Sequence, residues 1–188
     1  MSSETEIEAL LARGELEPAA TRLIETLGPG IFGYLCSLLD EDDAKDVFSM
    51  FAEDVWKGLP GFRRDASLRT WSYRLAWHAS CRFRRDPFRQ RRQGIPTGAA
   101  SRLAASVTSM SGLAHGSRRE RLARLRAALT PEEQTLLVLR VDRELEWDEI
   151  AAILAEDGEP VASPALRKRF ERLKEKLAEL ARSERLID

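Results

Sequence analysis

The chain is poor in the residues that staple, ligate or catalyse. Of its 188 residues only two are cysteine, Cys36 and Cys81, and only two are histidine, His78 and His115. A disulfide framework needs more cysteines than this, and no zinc-ligand spacing can be assembled from so few, widely separated groups. Both cysteines are therefore read as reduced thiols, and no metal is expected. Long apolar runs are missing as well. Nothing approaches the roughly 20 apolar residues of a membrane span, and the acidic N-terminal stretch does not look like a secretory signal. The expectation is a cytoplasmic protein with no membrane insertion. A glycine-rich phosphate loop and a nucleophile-base pair are also lacking, so an enzyme or a bound cofactor finds no support.

What the chain does have is charge, segregated along its length. The formal net charge is only -1, but residues 1–59 carry 4 basic and 13 acidic side chains, residues 60–126 carry 16 and 3, and residues 127–188 carry 10 and 15. Such a middle suits an anionic polymer, and such a front suits a basic protein surface.

The hydrophobic period is helical throughout, with no sustained alternation to support a sheet, which predicts an all-α fold. A first helix is expected over about Glu4 to Arg13 and a second over about Pro18 to Leu39, interrupted near Gly28, Pro29 and Gly30. Asp40 or Asp42 would cap a third helix running to Trp56, with acidic groups in the first turn where the helix dipole favours them. Gly58, Pro60 and Gly61 break it, and a loop from Phe62 to Ser67 leads into a helix that ends before Pro87. Residues 87–117 turn to Arg, Gln, Gly, Ser, Ala and Pro, the composition of a flexible linker. Two small helical domains follow from this, residues 1–86 and 118–188. In the second, helical pattern resumes near Arg118 and runs to Ala128. Thr130-Pro131-Glu132-Glu133 then reads as a capped start with proline at the first helical position. A further helix should bury Trp147, Ile150, Ala151 and Leu154. Ser163-Pro164 opens the last one, with Leu166, Phe170, Leu173, Leu177 and Leu180 on one stripe. A helix, a turn and a basic helix make the helix-turn-helix plan.

The most informative stretch is Gly61 to Arg85, where arginine alternates with tryptophan, tyrosine and phenylalanine. Guanidinium groups neutralise phosphates and flat rings stack on unpaired bases, so the combination suits opened or single strands. Trp71, Leu75, Ala79 and Phe83 form a stripe that is mostly core, and Arg74, His78, Arg82 and Arg85 are placed on the opposite side, with Arg63, Arg64 and Arg69 just upstream. Ten arginines lie between Arg63 and Arg92 against Asp65 and Asp86 alone. A merely solvated face would mix its signs.

In the last helix Arg167, Lys168, Arg169 and Arg172 crowd toward the N-terminal half, the end that a recognition helix inserts into the major groove. Glu171 could accept a hydrogen bond from a cytosine amino group or pair with Arg167. The cluster Asp40, Glu41, Asp42, Asp43 and Asp46 lacks the glycine and ligand spacing of a calcium loop, so capping and an acidic partner-binding face account for it better.

Over LPGFRRDASLRTWSYRLAWHASCRFRR, DAKDVFSMFAEDVWKGLPGF, LTPEEQTLLVLRVDRELEWDEIAAIL and ALRKRFERLKEKL the chain resembles the extracytoplasmic-function group of sigma factors of bacterial RNA polymerase. The resemblance implies an initiation factor of two domains. The first would dock on core RNA polymerase through the helix from about Asp43 to Trp56, with Asp43, Asp46, Val47, Ser49, Met50, Glu53 and Asp54 as contacts. It would melt and read the -10 promoter element with Phe62, Arg63, Arg64, Asp65 and Ser67 of the loop and Arg69, Arg74, His78 and Arg82 of the helix, the loop holding a base flipped from the non-template strand. The second would read the -35 element as duplex DNA with Arg167, Lys168, Arg169, Glu171 and Arg172. An anti-sigma factor or other inhibitory protein is a further implied partner. The chain departs from the family at Ser49, often glutamine, at Ala52, often phenylalanine, and at His78, commonly asparagine. Phe48 and Phe51 are expected to restore the core volume lost at Ala52. The segment Glu156 to Pro164 is longer than the usual tight turn. A helix-turn-helix regulator without polymerase, or an antagonist that mimics a sigma factor, would share many of these features.

Overall fold

The computed structural model describes residues 3–86, 128–155 and 161–183. They form helices with no strand among the described residues, and they belong to two compact units, residues 3–86 to the first and the remainder to the second. The fold is all-α. The stretch expected to be a linker, residues 87–117, and the helix expected from Arg118 lie outside the described residues, apart from the end of the latter at Ala128.

The first unit contains α1 (Ser3–Ala12), α2 (Leu16–Leu38), α3 (Glu41–Gly58) and α4 (Leu68–Arg85). The expected interruption at Gly28, Pro29 and Gly30 does not occur, and α2 runs straight through Pro29. A proline there removes one helix hydrogen bond and crowds the carbonyl four residues back, at a cost of about 3 kcal/mol. Burial on both sides of it offsets that cost: Leu23, Ile24, Ile31, Tyr34 and Leu35 are all fully buried. The core is aromatic at its centre. Phe32 meets Phe48 edge-on at 5.7 Å, Phe48 lies 5.4 Å from Phe51, and Tyr34 meets Tyr73 at 5.6 Å. Phe48, Phe51 and Ala52 are buried together.

Local chemistry sets the ends of α3 and α4. Asp40 accepts a hydrogen bond from the Asp43 amide at 3.0 Å and Ser67 accepts one from the Thr70 amide at 3.0 Å, each satisfying a backbone donor that the first turn leaves open. On the buried face of α4, Ser72 and Ser80 donate to the carbonyls of Leu68 at 2.7 Å and Trp77 at 2.8 Å. Small side chains that satisfy themselves let α4 sit close to its neighbours without stranded polar groups.

The second unit contains α5 (Pro131–Leu137), a π-helical turn (Val138–Asp142), α6 (Trp147–Ile153) and α7 (Ser163–Ser183). The capping box expected at Thr130 is present: the Glu133 amide donates to Thr130 Oγ1 at 3.2 Å and the Thr130 amide donates to Glu133 Oε2 at 2.8 Å. Lys176 of α7 reaches the same Glu133 oxygen at 2.7 Å, tying the last helix to the first. Ile150, Ala151 and Leu154 are buried as expected, whereas Trp147 is half-buried and packs its ring on Phe170 at 5.5 Å with the Arg140 guanidinium 4.9 Å from its centre. Leu166 and Leu173 are the buried part of the α7 stripe, and Phe170, Leu177 and Leu180 are half-buried. Part of the connection between α6 and α7, residues 156–160, is outside the described residues.

Candidate nucleic-acid interface

The chain leaves α3 through a short 3-10 turn, Leu59–Gly61, closed by the Phe62 amide donating to the Leu59 carbonyl at 3.1 Å. This turn presents Phe62 to α4, where its ring lies 5.3 Å from that of Trp71 at 53°. Gly58 leaves room for the indole, because a Cβ built there would stand 3.1 Å from Cζ2 of Trp71 and push it by a few tenths of an ångström. Beyond Phe62 the loop bends sharply. Arg64 adopts a left-handed backbone with φ of 63°, a conformation that costs a residue with a side chain about 1–2 kcal/mol, and is itself exposed to solvent. Ser67 then caps α4.

Loop and helix enclose a cleft of about 430 Å³ lined by Gly61, Phe62, Arg63, Asp65, Ala66, Trp71, Arg74, Leu75 and His78. That volume falls within the range of roughly 300–1,000 Å³ typical of small-ligand sites. One side offers aromatic and aliphatic surface, and around it stand two guanidinium groups, a carboxylate and an imidazole. Such a site accepts a flat heterocycle by stacking and its polar edge by hydrogen bonds.

Five of the residues expected at the -10 element, Phe62, Arg63, Asp65, Arg74 and His78, are brought together in this cleft. Arg64 and Ser67 are exposed and Arg69 is half-buried, all outside its lining. Arg82 forms an ion pair with Asp54 of α3. The expected division of α4 into an apolar stripe and an opposed basic face needs correction. Trp71 and Leu75, placed on the core stripe, line the cleft beside Arg74 and His78, while Ala79 and Phe83 are buried. A step of three residues turns a helix by about 300°, so Trp71 and Arg74 are neighbours, as are Leu75 and His78. The spacing 71, 74, 75, 78 carried this signal.

On α3 the residues expected to face polymerase are unevenly disposed. Val47 is fully buried and offers nothing to a partner, which removes it from the set: position 47 falls on the same face as Ala44, Phe48 and Phe51. Glu53 is exposed and paired with Lys57 at 3.2 Å. Asp43, Asp46, Ser49, Met50 and Asp54 are half-buried, and Ser49 donates back to the Lys45 carbonyl at 3.1 Å. Partial burial, reinforced by the charges of Asp40, Asp46 and Asp42, pushes the Asp43 carboxyl above its ordinary range.

In α7 the residues expected at the -35 element, Arg167, Lys168, Arg169, Glu171 and Arg172, are all exposed. With Leu166 and Leu173 marking the buried side, steps of about 100° place Lys168, Glu171 and Arg172 on the outer face. Among the described residues no ion pair holds any of the four cations, and Glu171 pairs with Lys174 at 2.7 Å in place of Arg167. Ser163 Oγ donates to Asp148 Oδ1 at 2.5 Å, fixing the start of α7 against α6. No group of three or more His, Cys, Asp and Glu side chains suited to a metal ion occurs among the described residues. None of their helices is long and apolar enough to cross a membrane. No family model, curated protein or solved structure matches the chain.

Proposed function

We propose that the protein is a sigma factor that binds core RNA polymerase and directs it to promoters, opening the -10 element with its first unit and reading the -35 element with its second. The observation that carries this reading is the cleft of Phe62, Arg63, Asp65, Trp71, Arg74 and His78. Flat rings and convergent hydrogen-bonding groups in one open site suit an unstacked base, and a double-stranded helix offers no such base. Capture of a flipped base offsets an unstacking cost of a few kcal/mol, so binding energy can drive strand opening without ATP.

The rest of the surface supports the same assignment. Arg63 and Arg64 stand exposed in the loop where a displaced strand would run, and left-handed backbone at Arg64 is the kind of held strain that clusters at binding sites. The acidic face of α3 suits a basic docking surface on polymerase. The cations in the first half of α7 suit the major groove of a helix-turn-helix site, with Lys168 and Arg172 on its outer face. An inhibitory protein that covers either unit would silence the factor. Permanganate reactivity of thymines on genomic promoter fragments tests the opening step. Hyperreactive thymines should require both core polymerase and this protein, and their absence under conditions of stable polymerase binding would remove the melting role.

A further inference from the structure

The ion pair between Arg82 and Asp54 joins two surfaces that the proposed function assigns to different partners. Asp54 lies on α3 with 26% of its side chain exposed, and Arg82 lies on α4 with 51% exposed. Arg63, Arg64 and Arg74 differ from Arg82, since no ion pair engages them among the described residues. Along α4, Arg82 lies one turn past His78, about 6 Å further along the axis, on the side of the helix that lines the cleft. A strand that placed a base in the cleft would carry its backbone along this side. Arg82 is therefore well placed for a phosphate, and Asp54 already holds it.

Resting on the function proposed above, we infer that Asp54 and Arg82 form a latch that links polymerase docking to DNA capture. In the free protein Asp54 withholds the Arg82 guanidinium from DNA. A cationic group of the docking polymerase that engages Asp54 releases Arg82, which then takes a backbone phosphate. The linkage runs in both directions, because a strand that captures Arg82 frees Asp54 for the polymerase by the same factor. Solvent exposure sets the size of the effect. Exposed ion pairs are worth little, and the usual range corresponds to a shift of roughly 1.5- to 5-fold in affinity. Such a latch biases the order of assembly and is weak enough for either partner to open.

An ordinary interhelical pair would make a different prediction, and salt dependence separates the two. The full-length protein would be titrated against a fluorescent oligothymidylate without polymerase, as wild type, Asp54→Asn, Arg82→Gln and the double variant, over a series of salt concentrations. Asp54→Asn should bind roughly 1.5- to 5-fold more tightly, with a salt slope steeper by up to about 0.7, the full increment for one phosphate contact on a single strand. Arg82→Gln alone should weaken free-protein binding less than it does beside Asp54→Asn, and the double variant should lose the steeper slope. Because both variants being compared carry Asp54→Asn, any loss of folding from that substitution cancels between Asp54→Asn and the double variant. Equal affinity and equal slope for those two would overturn the latch, even in a protein that binds core polymerase and initiates. Core binding measured in parallel identifies the other failure: a wild-type chain that binds no polymerase overturns the proposed function, and the latch with it.

Discussion

Trp71 leans on Phe62 across 5.3 Å because position 58, at the end of the preceding helix, has no side chain to hold it away. The two rings form the apolar side of the cleft, so a substitution at Gly58 separates stability from function. Gly58 has ordinary helical backbone, and alanine there gains up to about 1 kcal/mol of helix propensity. Trp71 borders open space and can yield the few tenths of an ångström that a Cβ demands. Gly58→Ala is expected to keep or slightly raise the melting temperature while lowering open-complex formation several-fold. Paired thermal melts and open-complex assays check this, and equal activity would mean that the position of Trp71 does not matter.

Trp71 itself should matter more to single strands than to duplex. Stacking on an aromatic side chain is worth about 1–3 kcal/mol per base by alanine substitution, so Trp71→Ala should weaken single-strand binding by roughly 5- to 150-fold. Binding of closed promoter duplex should change far less. Fluorescence anisotropy with matched single- and double-stranded probes measures the difference.

Glu133 makes the second unit sensitive to acid. Burial works against its charge, but the hydrogen bond from Lys176, the Thr130 amide and the Lys176 charge outweigh it and hold the carboxyl below its ordinary value of 4.5. A depressed folded value stabilises the fold above the ordinary value, and that stabilisation is lost as pH falls through the folded value. Glu133→Gln keeps the capping acceptor but loses the charge paired with Lys176, and should therefore cost about 0.2–1 kcal/mol at neutral pH, the range for a solvent-exposed ion pair. In urea titrations the gap between wild type and variant should close in acid below the folded value.

Asp43 acts with the opposite sign. Its carboxyl is raised, so its charge opposes folding at neutral pH and protonation relieves that opposition as pH falls through the folded value. Asp43→Asn should stabilise the first unit at neutral pH, with the advantage fading in acid. If α3 docks on polymerase, the same substitution should weaken core binding. Thermal melts at several pH values, together with a core-binding titration, test both halves.

Much of the fold was legible because local chemistry and tertiary packing agree. Asp40 and Thr130 cap the helices that their positions predict, and Ile150, Ala151 and Leu173 are buried as the helical period requires. Pro29 misled because its local cost is outweighed by the burial of Ile31, Tyr34 and Leu35 in one continuous helix. The π-helical turn at Val138–Asp142 left no trace in residue type. At the site, the residue types were legible and their partners were not. Composition marks arginine, yet only packing shows that Arg74 lines a cleft while Arg82 is held by Asp54. An aromatic on an apolar stripe reads as core, yet Trp71 shares the cleft side of α4 with Arg74, Leu75 and His78.

The most direct test of promoter-directed initiation is run-off transcription on genomic DNA fragments with purified bacterial core polymerase, with and without this protein. Discrete new transcripts are expected with the wild-type chain. Arg63→Ala/Arg74→Ala should abolish them, with open complexes suffering more than initial duplex binding, by about 1–3 kcal/mol per lost contact. No new transcripts, from a protein that still binds DNA or polymerase, would contradict the assignment.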